Sequence, residues 1–316
     1  MLTTAVAVAL YNGARFIEGQ LDTIRNQTLS PDKVVLCDDG SKDNTVQIVS
    51  EYIKKYNLEN SWFVYQNEVN LGYIKNFYKA ISLCDTDLVF LSDQDDIWKE
   101  DKIEKMTKIM QERSEISLLS CKYGIIDAQG NERYSIVEPK SNENEEISIV
   151  SVEDIMRAYR WPGMVMCLRK SFFNDIISSI ENCDVAHDLV FTISAADRKA
   201  FYEYSYVGAY HRRHDNNTAR EEHRVFKLLN MERKLTDIAV TKQLWSNLIN
   251  AKLSLSDLCI NQIKDRLVLL EKRETALRKR SLFEVIRLYR QDNGKYLRKL
   301  SFICDIWLVC FGNRVK

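Results

Sequence analysis

Four short apolar runs alternate with three helical patterns over the first 92 residues, and two of those runs end in clusters of aspartate. Thr4–Leu10, Lys33–Cys37, Trp62–Gln66 and Leu88–Leu91 read as strands, while Phe16–Asn26, Asn44–Tyr56 and Tyr73–Leu83 carry helical spacing. Strand and helix in alternation, joined by short loops, predict βαβ units on a mainly parallel sheet flanked by helices. Open sheets of this kind bind ligands beyond the carboxyl ends of their strands. Here those ends are Asp38-Asp39-Gly40-Ser41 and Ser92-Asp93.

The pattern continues past Lys99 with a helix to about Arg113 and strands near Leu118–Ile126 and Met164–Leu168, with a polar loop at Asn142–Glu146. Residues 209–293 then contain neither Gly nor Pro, which predicts a helical tail. Charge divides the same way: residues 1–218 carry 24 Lys and Arg against 34 Asp and Glu, residues 219–316 carry 21 against 11. Two domains are expected, an α/β body at 1–218 and a basic helical region at 219–316. A net charge of zero with 45% apolar residues excludes a disordered acidic chain and a uniformly basic nucleic-acid binder, so no nucleic-acid partner is expected. Met1–Leu10 lacks a basic leading segment and runs into Tyr11-Asn12-Gly13, so it reads as a buried strand rather than a signal peptide. Eight scattered cysteines without a C-x-x-C pair fit a reducing compartment, and a cytoplasmic location is expected.

The loop Asp93-Gln94-Asp95-Asp96-Ile97-Trp98 places three carboxylates within four positions at a strand end. Crowding like charges costs free energy unless a cation or hydrogen-bond donors neutralise them. Oxygen ligands of this type suit Mg²⁺ or Mn²⁺, held by one or two carboxylates plus substrate phosphates. A solvated turn leading into the next helix is the competing reading, and the residues alone leave both open. At Asp38-Asp39 a carboxylate could accept from the imide of a pyrimidine, or Ser41 or Asp43 could simply cap a helix.

Taken in order, Tyr11-Asn12-Gly13, Asp38 through Thr45, Asn70-Leu71-Gly72 with Asn76-Phe77, and Asp93 through Trp98 resemble the inverting family-two glycosyltransferases with the A-type nucleotide-sugar fold, closest to their bacterial rhamnosyltransferase-like branch. The resemblance covers about residues 1–218. It implies a Rossmann-like mixed sheet, a nucleotide-sugar donor and a divalent Mn²⁺ or Mg²⁺. It puts Tyr11 and the Asp38-Asp39 pair at the donor, with Asp39 at the base, Asp93 at the ribose and Asp95 on the metal. By the same resemblance His187-Asp188-Leu189 supplies the general base as Asp188, with a helix cap as the competing reading. Tyr210-His211-Arg212-Arg213-His214 through Asn217 resembles a segment in which His214 completes the metal shell or contacts the diphosphate and Arg212 and Arg213 neutralise phosphate, with a basic surface strand edge as the competing reading. In Trp161-Pro162-Gly163-Met164 the resemblance implies an acceptor side, with Gly163 admitting the chain and Trp161 stacked on a sugar; an ordinary turn with a core tryptophan competes.

The function implied is transfer of a sugar from dTDP-rhamnose or a UDP-hexose to a glycan or lipid-linked acceptor in bacterial surface polysaccharide assembly. A nucleotidyltransferase is the rival enzyme class, but Tyr11-Asn12-Gly13-Ala14-Arg15 lacks the glycines of a triphosphate-gripping loop. A catalytically inactive membrane-bound scaffold is the third reading. In the tail, Arg278-Lys279-Arg280, Arg287, Arg290, Lys295, Arg298 and Lys299 interleave with apolar residues. Leu300–Phe311 is too short to span a bilayer and holds Asp305, so an interfacial anchor on the inner leaflet and a helical hairpin used for packing or homo-oligomerisation both remain open.

Overall fold

The computed structural model describes residues 1–133, 145–180, 183–214 and 229–312. The expectations for Asn217 and most of the Asn142–Glu146 loop lie outside them. The chain divides into two compact units, Met1–Val150 with Trp161–Asn216, and Ser151–Arg160 with Asn217–Lys316.

The first unit begins β1 (Thr4–Leu10), α1 (Ile17–Arg25), β2 (Lys33–Asp38), α2 (Thr45–Lys55), β3 (Trp62–Gln66), α3 (Tyr73–Ser82) and β4 (Leu88–Ser92). β1 pairs in parallel with β2 and β4, and β2 with β3, giving a spatial order 3-2-1-4. Strand order therefore reverses at β1, and the crevice beyond the carboxyl ends of β1 and β4 is the topological switch point of an open sheet. Val6, Val8, Val34 and Phe90 on one face and Ala7, Val35, Val89 and Leu91 on the other have no exposure, as a sheet covered on both faces requires. Ile17, Leu21 and Ile24 of α1 and Val49 and Ile53 of α2 supply part of that cover at helical spacing.

The rest of the sheet mixes directions. β5 (Ile97–Trp98), α4 (Lys102–Glu112), β6 (Leu118–Ile126), β7 (Glu132–Arg133) and β8 (Ile147–Ile149) follow in chain order. A 3₁₀ turn at Gly163–Val165 leads into β9 (Met166–Arg169), which lies antiparallel between β4 and β6. β10 (Phe201–Arg212) runs parallel to β6 and closes the sheet against the short antiparallel β5. β10 takes up the first four residues, 209–212, of the Gly- and Pro-free stretch: Tyr202, Tyr204 and Tyr206 at alternating positions favour a pleated surface, and lack of Gly and Pro does not by itself make a helix.

The second unit gathers α5 (Val152–Arg157) with the tail helices; α6 (Lys170–Ile180) and α7 (His187–Asp197) belong to the first. A single cut at 218 does not reproduce this partition, since Ser151–Arg160 goes with the tail. Glu153 of α5 accepts from Gln262, and Arg157 Nε donates to Lys295 O. The tail comprises α8 (Met231–Asn250), α9 (Asp257–Arg278), α10 (Leu282–Asp292) and α11 (Lys299–Phe311). Its core holds a buried ion pair: Asp305, with no exposure, accepts from Arg273 Nε at 2.7 Å and Nη2 at 2.9 Å, and from the Tyr289 hydroxyl at 3.1 Å. Among the described residues, no helix is long and apolar enough to cross a membrane.

Candidate active site

Two loops meet beyond β1 and β2 and are tied to each other. Asn12 N–H donates to Ser41 Oγ, Gly13 N–H to Thr45 Oγ1 and Ala14 N–H to Asp43 Oδ2, while Lys42 N–H returns a bond to Asn12 Oδ1. Asp38, 2% exposed, folds the turn after β2 by accepting from Gly40 N–H, Ser41 N–H and the Ser41 hydroxyl. Gly40 sits at φ +81°, a conformation that favours glycine.

Asp39 also makes bonds within the protein. Its carboxylate accepts from Asn67 Nδ2 at 2.8 Å, Leu71 N–H at 2.7 Å and Gly72 N–H at 2.8 Å. Asn76 closes the same network, accepting from Asn67 and donating to Cys37 O. Asp39 therefore anchors the 67–72 loop, a task that neither the pyrimidine contact nor the helix cap foresaw. Tyr11, by contrast, presents its side chain outward at 49% exposure while its backbone is fixed. Gln94 holds it from both sides: Tyr11 N–H donates to Gln94 Oε1 and Gln94 Nε2 donates to Tyr11 O, each at 2.8 Å. Gly13 makes room for this clamp, since a Cβ there would stand 2.2 Å from Gln94 Oε1.

The acidic loop follows directly. Asp95 Oδ2 and His214 Nε2 lie 2.7 Å apart, with side-chain exposures of 18% and 10%. Residues 119 positions apart are brought together because β10 returns its end beside the loop. Asp96 is 2% exposed; its Oδ1 accepts from Arg212 N–H, and its Oδ2 has no hydrogen-bond partner. Burial, then Asp93 and Asp95, push the Asp96 carboxyl well above the usual carboxylate range. Burial also raises Asp93, and the charges of Asp95 and Asp188 add to it. Beneath the loop, the fully buried Lys102 donates to Met164 O and sits 3.4 Å from the centroid of the Trp98 ring. Burial lowers its ammonium to about 8, against the pull of nearby acids including Asp96 and Asp93.

The donor set fits a divalent cation of the hard type. One carboxylate oxygen and one imidazole nitrogen converge, and a buried carboxylate oxygen next to them lacks a partner. Among the described residues no three His, Cys, Asp or Glu side chains gather as a closed cage, so further ligands would come from solvent or substrate phosphate. Raised carboxyl groups are destabilising once ionised: the folded state holds protons that the unfolded chain has released above its pKa of about 4. Stability from this loop is accordingly greatest in acid and falls as pH rises through the folded values. Mn²⁺ should therefore raise the melting temperature more at pH 7.5 than at pH 5, and scanning calorimetry checks this.

Asp188 lies in the first turn of α7, whose N-cap is Ala186, so it is not the cap. Its Oδ1 accepts from Leu189 N–H at 2.8 Å, and its charge acts on Asp93, Tyr73 and Tyr78. It thus shares an electrostatic neighbourhood with the acidic loop. Its neighbour His187 is 5% exposed and neither ring nitrogen has a partner; burial depresses its pKa. The ring packs on Phe77, with centroids 4.3 Å apart.

Three assignments are corrected. Trp161 is 2% exposed, its indole N–H donates to Glu203 at 2.7 Å and its ring meets Phe201 edge-on, so it is a core residue with no face open to a sugar. Gly163 is buried and accommodates His187 rather than an acceptor: a Cβ there would stand 2.6 Å from His187 Nε2. Gly163→Ala should cost about 1–3 kcal/mol in urea unfolding, as overpacked sites do. Arg212 is 9% exposed and directs Nε to Asp95 O and Nη1 to Asp127 O and Ala128 O, so it braces the acidic loop instead of presenting a phosphate grip. Arg213 is partly exposed and its backbone N–H donates to Ile126 O. The sequence reading missed Lys102, Gln94 and Asn67. A signal existed for the first, since Lys102, Met106 and Met110 recur at the spacing of α4's buried face.

The sequence model described as "Glycosyl transferase family 2" matches residues 5–204. The dTDP-rhamnosyl transferase RfbG of Shigella flexneri is 38% identical over 100 residues, 31% of this chain and 34% of that protein. The chain spans about a third of the length of the first curated relatives it matches. Among solved structures, S. aureus TarS 1–349 in complex with UDP-GlcNAc superposes with a TM-score of 0.60 at 18% identity, covering 92% of this chain and 79% of that one. The mannosyltransferase PcManGT of Pyrobaculum calidifontis, with GDP-Man and Mn²⁺, gives a TM-score of 0.51 at 12% identity, covering 98% and 87%. The shared fold is that of A-type glycosyltransferases.

Proposed function

The chain belongs to glycosyl transferase family 2, and from that membership we propose that it is an inverting, metal-dependent glycosyltransferase. It would move a sugar from a nucleoside diphosphate donor to a hydroxyl of a glycan or lipid-linked acceptor in bacterial surface polysaccharide assembly. The single observation that carries the reading is the convergence of Asp95 and His214 at the sheet's switch point, with Asp188 in the electrostatic range of the same loop. The rhamnosyl relative favours dTDP-rhamnose as the first donor to try, with UDP-glucose and UDP-galactose next.

In this mechanism Tyr11 faces the base, Asp93 the ribose and Arg213 the phosphates. Asp95 and His214 would hold Mn²⁺ or Mg²⁺, which when bound offsets the charge that develops on the departing diphosphate. Asp188 accepts the acceptor's hydroxyl proton as that oxygen forms a bond to the anomeric carbon. The bond to the diphosphate oxygen breaks on the opposite side, so the anomeric configuration inverts. Arg212 and Gln94 act at one remove, bracing Asp95 and Tyr11.

The test is direct. The chain, supplied with each donor and Mn²⁺ or Mg²⁺ and a glycan acceptor, should yield a product whose anomeric coupling constants show inversion. Retention of configuration, or donor binding that EDTA does not weaken, would overturn it.

A further inference from the structure

α11 is apolar on two sides, and its own bundle uses only one. Cys304, Asp305, Leu308 and Val309 face inward, whereas Leu300, Ile303, Trp307 and Phe311 form an outward stripe at i, i+3, i+7 and i+11. Exposure along that stripe reaches 62% at Ile303 and 71% at Phe311, and Phe283 of the adjoining α10 stands 74% exposed. The stripe is held in place. Tyr289 and Phe302 rings meet at 4.5 Å, and Arg280 Nη2 donates to Gly312 O at 2.7 Å, pinning the end of α11 to the end of α9.

Charge narrows what can cover it. From Arg278 to Gly312 the chain has eight Lys and Arg against three acids, and two of those acids, Asp292 and Asp305, are 7% and 0% exposed. Arg278, Lys279, Arg287, Arg290, Lys295 and Lys299 are all exposed. A second copy of this face would bring cation against cation, whereas an anionic surface meets both the charge and the apolar stripe. A 13-residue helix spans about 20 Å and so lies along a bilayer rather than across it.

We propose that the α10–α11 face seats on an anionic bilayer surface, with Ile303, Trp307 and Phe311 entering the headgroup boundary and the flanking cations meeting lipid phosphate. This is independent of the proposed transfer chemistry, so the test uses vesicles with no donor or acceptor. The full chain should co-sediment with phosphatidylglycerol–phosphatidylcholine vesicles and roughly tenfold less with phosphatidylcholine alone. I303S/W307S/F311S and, separately, R287E/R290E should each weaken binding by roughly tenfold. Circular dichroism verifies folding, and the single I303E serves if the triple variant fails to fold. Unchanged binding by the folded stripe variants would overturn the proposal. So would a dimer seen by light scattering that the same variants dissociate while wild type ignores vesicles.

Discussion

Asp188→Asn is expected to leave a folded protein that still binds donor but transfers sugar about 10²–10⁴ times more slowly, the usual contribution of a positioned general base. The substitution is nearly isosteric. An asparagine oxygen can still accept from Leu189 N–H, so the first turn of α7 should persist. What disappears is the proton acceptor and one of the charges that push Asp93 upward. Because Asp188 makes none of the proposed donor contacts, donor affinity should be preserved while kcat collapses. Calorimetric titration of the donor and single-turnover product formation separate the two. Near-wild-type turnover in Asp188→Asn would remove Asp188 from the mechanism, and loss of donor binding would show it to be a donor residue instead.

Asp305→Ala should be the most destabilising substitution in the helical unit. Truncation leaves Arg273, 6% exposed, without the carboxylate that receives two of its N–H groups, and with Lys234 nearby as a like charge. Breaking one side of a buried pair costs about 3–5 kcal/mol, because the remaining charge is desolvated and uncompensated. The expected result is a loss of that size in the urea transition followed by circular dichroism. The double variant Asp305→Leu/Arg273→Met should recover most of it, since replacing both ions by apolar groups is often close to neutral. If the double variant loses as much as the single, the cost lies in packing or in Lys234, which also loses its acid, rather than in the orphaned guanidinium.

The alternating half of the sheet was legible because β1, β2 and β4 are buried on both faces and each helix carries one apolar stripe. β1, β3 and β6 match the sequence reading residue for residue, and the helices differ by one to three residues at their ends. The order of the remaining strands was not legible. β9 enters antiparallel between β4 and β6, a pairing fixed by contacts across long sequence separations. Side-chain duties separated along the same line. Asp95 and His214 were paired in the sequence reading and do lie together, yet Trp161 stood between sugar stacking and a core place, and its partner Glu203, 42 positions away, settles it as core. Asp39 was placed at the right strand end, but the backbone donors of Leu71 and Gly72 that occupy it follow from loop conformation, which residue type does not specify.

The lacing of Asn12, Gly13 and Ala14 to Ser41, Thr45 and Asp43, together with the Asp39 hold on Leu71 and Gly72, bears on how nucleotide preference can change. Three segments behave as one interlocked cassette, so a chimaera that exchanges a single segment severs bonds its neighbours depend on. Under the proposed function, retargeting this chain to a different sugar nucleotide would require grafting 11–14, 38–45 and 67–76 as a block, and homologues should be recombined at the helices between them.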